Sequence, residues 1–206
     1  MSLKPRIYTV NSTCVLGRLG ENTQEIAYPT CPKCGRMLQS GIRYSALEYV
    51  FDEYHGEDLF TARNALIVSQ RLYQELYASD ITGFAPIKVI TSISEQCSGD
   101  PIDGALFYYL GILNSSAKNT PLGYDIEGTC DTCGNLIVSV NFEKLQHLVR
   151  SSSENQLPLE VQYDSWNGDD LFYCRDHTEL IATEKAVSIF RSFNCPELVV
   201  IPSQWV

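Results

Sequence analysis

The sequence predicts an α+β fold of two related halves. Each half reads as a cysteine knuckle followed by strand, turn, strand, helix and strand, and one four-cysteine site joins the halves. Three observations predict this. Two C-x-x-C-G motifs occur, one toward each end of the chain. A ten-residue aromatic and acidic segment occurs twice. After each copy, a short β-rich run leads into an amphipathic stretch and then into a second β-rich run.

The knuckles are Cys31-Pro32-Lys33-Cys34-Gly35 and Cys130-Asp131-Thr132-Cys133-Gly134. In such a turn both thiolates point to one side. The glycine tolerates φ > 0, which lets the turn close with backbone N–H groups aimed at sulfur. Two knuckles supply Cys31, Cys34, Cys130 and Cys133, enough for a closed, tetrahedral zinc-ribbon-like site. A redox or disulfide reading of each pair is the alternative, and iron fits the same four thiolates as zinc. Four protein ligands leave no open position for substrate, so the expected Zn2+ is structural. The other cysteines, Cys14, Cys97, Cys174 and Cys195, read as small buried hydrophobes. Cys174 and His177 have C-x-x-H spacing, half of a second site with no visible second half.

The repeated segment is Phe51-Asp52-Glu53-Tyr54-His55-Gly56-Glu57-Asp58-Leu59-Phe60 and Tyr163-Asp164-Ser165-Trp166-Asn167-Gly168-Asp169-Asp170-Leu171-Phe172, identical at five of ten positions. It reads as a turn. Gly56 and Gly168 take φ > 0, the acids bond local N–H groups, and Leu-Phe enters the core. Paired carboxylates for acid–base chemistry and a surface shared by Tyr54 and Trp166 are the competing readings. Leu66–Ser69 then matches Leu180–Thr183. Ser69 is the expected N-cap of a helix burying Leu72, Tyr73, Leu76 and Tyr77. Thr183 opens a second helix burying Ala186, Val187, Phe190 and Phe193. Strands follow at Ile87–Ile93 and Leu198–Ile201, and Phe142–Arg150 reads as an extra helix.

These features divide the chain into a first half, 1–93, a connecting segment, 94–129, and a second half, 130–206, within one compact domain. In the connection, Ser94–Pro101 and Asn114–Pro121 read as loops and Leu106–Leu110 as a strand. Ser151–Asn155 reads as a polar connection.

The chain has 206 residues, with 15 Lys+Arg against 25 Asp+Glu, a net charge of −10. Hydrophobic residues make up 44 %, enough for a core, so disorder is not expected. No run approaches a transmembrane length. The start, Met1 to Arg6, lacks the apolar run of a signal peptide, so the expected compartment is the cytoplasm. The acidic balance disfavours nucleic acid, since the densest basic stretch offers only Lys33, Arg36 and Arg43. No phosphate loop, H-E-x-x-H or G-x-S-x-G motif occurs, and His55, His147 and His177 are scattered, so no enzyme is expected.

The two C-x-x-C-G motifs, the Y/W-x-G-[DE]-D-L-F pattern and the L-[IV]-x-[ST] helix entry, in this order over residues 28–203, resemble the double-CXXCG motif family of bacterial proteins. Some members are immunity proteins that protect toxin-exchanging bacteria. The resemblance implies a non-enzymatic binding protein that neutralises a cognate toxin. The charge of −10 suits a basic protein partner. A zinc-ribbon adaptor or regulatory protein is the alternative.

Overall fold

A computed structural model describes residues 4–37, 41–63, 65–100, 102, 104–113, 117–120, 123–151, 159–174 and 179–206. The elements are β1 (Ile7–Ser12), β2 (Gly17–Leu19), β3 (Gln24–Glu25), β4 (Tyr44–Tyr54), β5 (Leu59–Ala62), β6 (Ala65–Ser69), α1 (Gln70–Ala78), β7 (Phe84–Gly99) and β8 (Phe107–Ile112). They continue with β9 (Asn119–Thr120), β10 (Tyr124–Thr129), β11 (Leu136–Val140), α2 (Phe142–Ser151), β12 (Glu160–Val161), a 3-10 turn (Tyr163–Ser165), β13 (Leu171–Tyr173), β14 (Leu180–Thr183), α3 (Glu184–Arg191) and β15 (Leu198–Trp205). The protein is mixed α+β, mostly sheet with few helices. Among the described residues, no helix is long and apolar enough to cross a membrane.

Two large sheets carry the fold. One runs β5-β6-β8-β7-β4-β2, with β3 also on β4; the other runs β13-β14-β1-β15-β12-β9. Both begin with an antiparallel hairpin, then a strand antiparallel to both neighbours, β8 or β1. Both then contain a parallel pair, β4 with β7 and β12 with β15. The strands are not partitioned at residues 93 and 129. β1, from the N-terminal segment, lies between β14 and β15, while β8 and β9, from the connection, each join a large sheet.

In a central strand such as β1, each backbone N–H is available to a neighbouring strand, and proline removes one. Thr9 pairs with both Ile181 and Ile201. Thr9→Pro removes a ladder donor and leaves a buried backbone acceptor unpaired, so it is expected to cost about 1–3 kcal/mol. Urea denaturation checks this, and an unchanged midpoint would contradict the central role of β1.

Strand alternation builds three cores. Leu59, Leu66 and Val68 face a central core with Leu171, Leu180 and Ala182, which also takes Leu72 and Leu76 of α1 and Ala186, Val187 and Phe190 of α3. The intervening residues turn the other way. Phe60, Ala62, Ala65 and Ile67 join Tyr49, Phe51, Phe107 and Tyr109 in a second core. Phe172 and Ile181 join Ile7 and Val161 in a third. Strands buried on both faces explain the near-continuous apolar runs Leu66–Val68 and Leu171–Tyr173.

Several expectations change here. Ser94–Gly99 is not a loop but the end of β7, where Ser98 and Gly99 pair with Glu53 and Tyr54 after a register shift. Its polar composition reflects exposure at the sheet surface. Tyr77 is 72 % exposed, so the buried stripe of α1 is narrower than its spacing suggests. Phe193 lies beyond α3 yet packs on the central core. The strand Leu106–Leu110 corresponds to β8, and the helix Phe142–Arg150 to α2. The connection at 152–155 and parts of the loop 114–121 lie outside the described residues.

Candidate metal centre

Each knuckle closes on itself by the same two backbone bonds. Cys31 N–H donates to Arg36 O and Gly35 N–H to Cys31 O, both at 2.8 Å. Cys130 N–H donates to Asn135 O and Gly134 N–H to Cys130 O, again at 2.8 Å. Gly35 and Gly134 sit at φ 71° and 73°, where a side chain would be strained, as the C-x-x-C-G pattern predicts. Thr30 bridges Met37 across the first knuckle, and β10 and β11 flank the second as a two-stranded ribbon.

The fold brings all four expected ligands together. The sulfurs of Cys31, Cys34, Cys130 and Cys133 lie within 4.8 Å of one another. Cys31 Sγ is 3.8 Å from Cys130 Sγ, and Cys34 Sγ is 3.6 Å from Cys133 Sγ. A tetrahedron with metal–sulfur bonds of about 2.3 Å has sulfur–sulfur edges of about 3.8 Å. The four cysteines therefore fit one tetrahedral ion, with two ligands from each knuckle. Cys31 and Cys130 are buried, Cys34 and Cys133 half-buried.

The local backbone also prepares the ligands. The Cys34 N–H holds the Cys31 thiol below its ordinary value, and the N–H groups of Cys133 and Thr132 bring Cys130 down to about 6. At Cys133 the Asn135 N–H is outweighed by burial and the neighbouring thiols, which push it up to about 12. A lowered thiol favours the thiolate that a metal requires. Across the knuckles, Lys33 Nζ pairs with Asp131 Oδ2 at 2.7 Å, with both side chains exposed. Solvent screens such a pair, so it adds little to stability. The residues thus offer a closed four-thiolate site for one tetrahedral metal ion, which would cross-link two chain segments there.

The remaining cysteines divide by burial. Cys14 and Cys174 are buried as expected, whereas Cys97 and Cys195 are only half-buried. Burial pushes the Cys14 thiol up to about 11 and the Cys195 thiol up to about 12. Both stay protonated well above neutral pH. Native protein at pH 8 is expected to alkylate about a hundredfold more slowly than a free cysteine at Cys14 and about a thousandfold more slowly at Cys195. Peptide mapping after iodoacetamide checks this, and rapid labelling of Cys195 would contradict it. His177, the other half of the C-x-x-H spacing, lies outside the described residues, as does the side chain of His147.

The D-L-F turns are more than local turns. Gly56 and Gly168 have φ of 84° and 95°, and Glu57 accepts the His55 N–H at 2.7 Å, as a turn demands. Asp58 and Asp170, however, reach across the molecule. Asp58 accepts from Arg71 Nε at 2.5 Å, from Ser69 Oγ at 2.5 Å and from the Asn194 N–H at 2.9 Å, beyond α3. Asp170 accepts from Thr183 Oγ1 at 2.6 Å and from the Thr82 N–H at 3.3 Å, beyond α1. Each carboxylate ties the start of its own helix to the end of the other. Ser69 still caps α1 by accepting the Leu72 N–H at 3.3 Å. Thr183 donates to Asp170 as Ser69 does to Asp58, but makes no side-chain cap bond to α3.

Tyr54 and Trp166 do not share a surface. Tyr54 packs on Phe51 and Phe107 by the second core, and Trp166 on Phe172 and Trp205 by the third. Sequence reasoning missed this ring cluster because Trp205 lies outside the repeated segment. His55 is exposed and 4.0 Å from Glu53. No protein-family model matches the chain, and no curated protein matches it.

Proposed function

We propose that this protein is a non-enzymatic, cytoplasmic binding protein of the double-CXXCG type that acts as an immunity protein, neutralising a cognate protein toxin, with zinc in a structural role. The observation that carries the reading is the convergence of four thiolates from two knuckles 99 residues apart. A tetrahedral ion filled by four cysteines has no position left for substrate, which favours a scaffold over a reaction centre. Such a site also needs reduced thiols, which supports a cytoplasmic location. The −10 charge favours a basic protein partner over nucleic acid, because it speeds encounter with the one and repels the other.

The reading includes descent by duplication. The motif order, the recurring sense of strand pairing in the two large sheets, and the paired Asp58 and Asp170 braces support it. In this view β1 completes the second unit as β8 completes the first, so the N-terminal strand closes the chain onto its own end.

The test is rescue. Co-expression with the product of the neighbouring gene is expected to abolish that product's toxicity, and the two proteins should co-purify. A toxic neighbour that neither binds nor is rescued would overturn the immunity reading. Retention of nucleic acid in a low-salt filter-binding assay would favour an adaptor instead.

A further inference from the structure

We propose that the ring cluster of Tyr163, Trp166 and Trp205 is a docking platform for a lysine or arginine side chain of the protein partner, and that Lys4 of the same chain occupies it in the free protein. The proposal rests on the reading of the partner as basic and names the surface that reads it.

Tyr163 stands at the start of the 3-10 turn after β12, and Trp205 ends β15, which pairs with β12 at Val161. The ring centroids are 4.9 Å apart for Trp166 and Trp205, 5.3 Å for Tyr163 and Trp205, and 5.9 Å for Tyr163 and Trp166. The two tryptophans are rooted in the third core, where Phe172 stacks on Trp205 at 11°. Their N–H groups are committed. Trp166 Nε1 donates to Asp169 O at 2.9 Å and Trp205 Nε1 to Pro5 O at 2.6 Å. The indoles are thereby fixed in orientation behind the half-buried Tyr163 ring, whose face holds the cation.

A ring face attracts a cation through its quadrupole. The structure shows one there, since Lys4 Nζ lies 4.3 Å from the Tyr163 centroid. Other exposed cations, Arg6, Arg18, Lys33 and Lys144, are held by carboxylates. Lys4 instead marks the cation-binding face. Exposed Asp164 adjoins Tyr163 in the chain, and the protein as a whole is acidic, so an incoming basic segment meets favourable charge before it meets the ring. It would replace the Lys4 ammonium with its own.

The chain has only two tryptophans, and both belong to this cluster, so emission excited selectively at tryptophan reports on it and not on the tyrosines elsewhere. The probe is a lysine-rich peptide titrated into full-length, metal-loaded protein, with a glutamate-for-lysine peptide as control. The lysine peptide is expected to give a saturable change in emission and the control none. Lys4→Ala removes the internal competitor and should tighten binding about threefold. Tyr163→Leu keeps an apolar side chain but removes the ring face, and should weaken binding about tenfold, whereas Tyr163→Phe keeps it. Calorimetry showing equal affinity for wild type and Tyr163→Leu would mean general attraction to an acidic surface and would overturn the proposal. So would no saturable response in either wild type or Lys4→Ala, or no tightening in Lys4→Ala. The peptide contains no toxin, so a failed toxicity rescue and a failed titration are separate results.

Discussion

Cys130→Ser is expected to release the metal and unfold at least the region around both knuckles. Structural zinc contributes about 10–16 kcal/mol of apparent binding energy in small peptides. Whole domains are stable by only about 5–15 kcal/mol. Cys31 and Cys130 are the buried ligands, 1 % and 2 % exposed, so losing either leaves the site open on its inner side. Elemental analysis of wild-type protein should find about one zinc per chain, and of Cys130→Ser essentially none. A chelator should reproduce the variant's loss of thermal stability and expose four reactive thiols that are protected in the loaded protein. Metal-free wild-type protein with unchanged stability would remove the basis for the zinc assignment.

The second large effect is expected at Asp58. Its side chain is 1 % exposed and accepts a bidentate pair from Arg71, at 2.5 and 2.6 Å, besides the Ser69 hydroxyl and the Asn194 N–H. Removing one member of a buried pair costs about 3–5 kcal/mol. The Arg71 side chain is 64 % exposed and can return to water, which moves the expectation to the low end, about 3 kcal/mol for Asp58→Ala. Asp170 is the milder case. Its side chain is 16 % exposed, and its nearest cation, Lys185, is 3.9 Å away. Asp170→Ala should cost about 1–2 kcal/mol, from the hydrogen bonds of Thr183 and Thr82. Urea denaturation of both variants measures the difference, and equal costs would show that burial and the arginine do not set the value.

Both sites were partly legible in the sequence, for different reasons. A zinc knuckle is a local device, because its spacing, its glycine and its aimed N–H groups lie within five consecutive residues. Local spacing alone therefore named Cys31, Cys34, Cys130 and Cys133. Asp58 and Asp170 were visible as a repeated pattern, but a turn explained that pattern without any distant partner. Their donors at Asn194 and Thr82 lie far away along the chain, beyond what a local pattern can indicate. The polar end of β7 misled for a related reason. Ser94–Gly99 carries the residues of a loop because its surface is solvated, while its backbone is held by β4.

The sequence by itself determined which four cysteines cluster, the α+β class, the first helix cap at Ser69 and the glycine turns at Gly35, Gly56, Gly134 and Gly168. These depend on φ, on side-chain reach over a few residues and on the identity of the donors. Only the tertiary structure decided that β1 completes the sheet of the C-terminal strands, that α1 and α3 meet in one core, and that Asp58 and Asp170 brace opposite helices. Those outcomes depend on which distant surfaces and donors satisfy one another, and buried backbone and carboxylate groups accept whichever partner the assembled fold brings within reach.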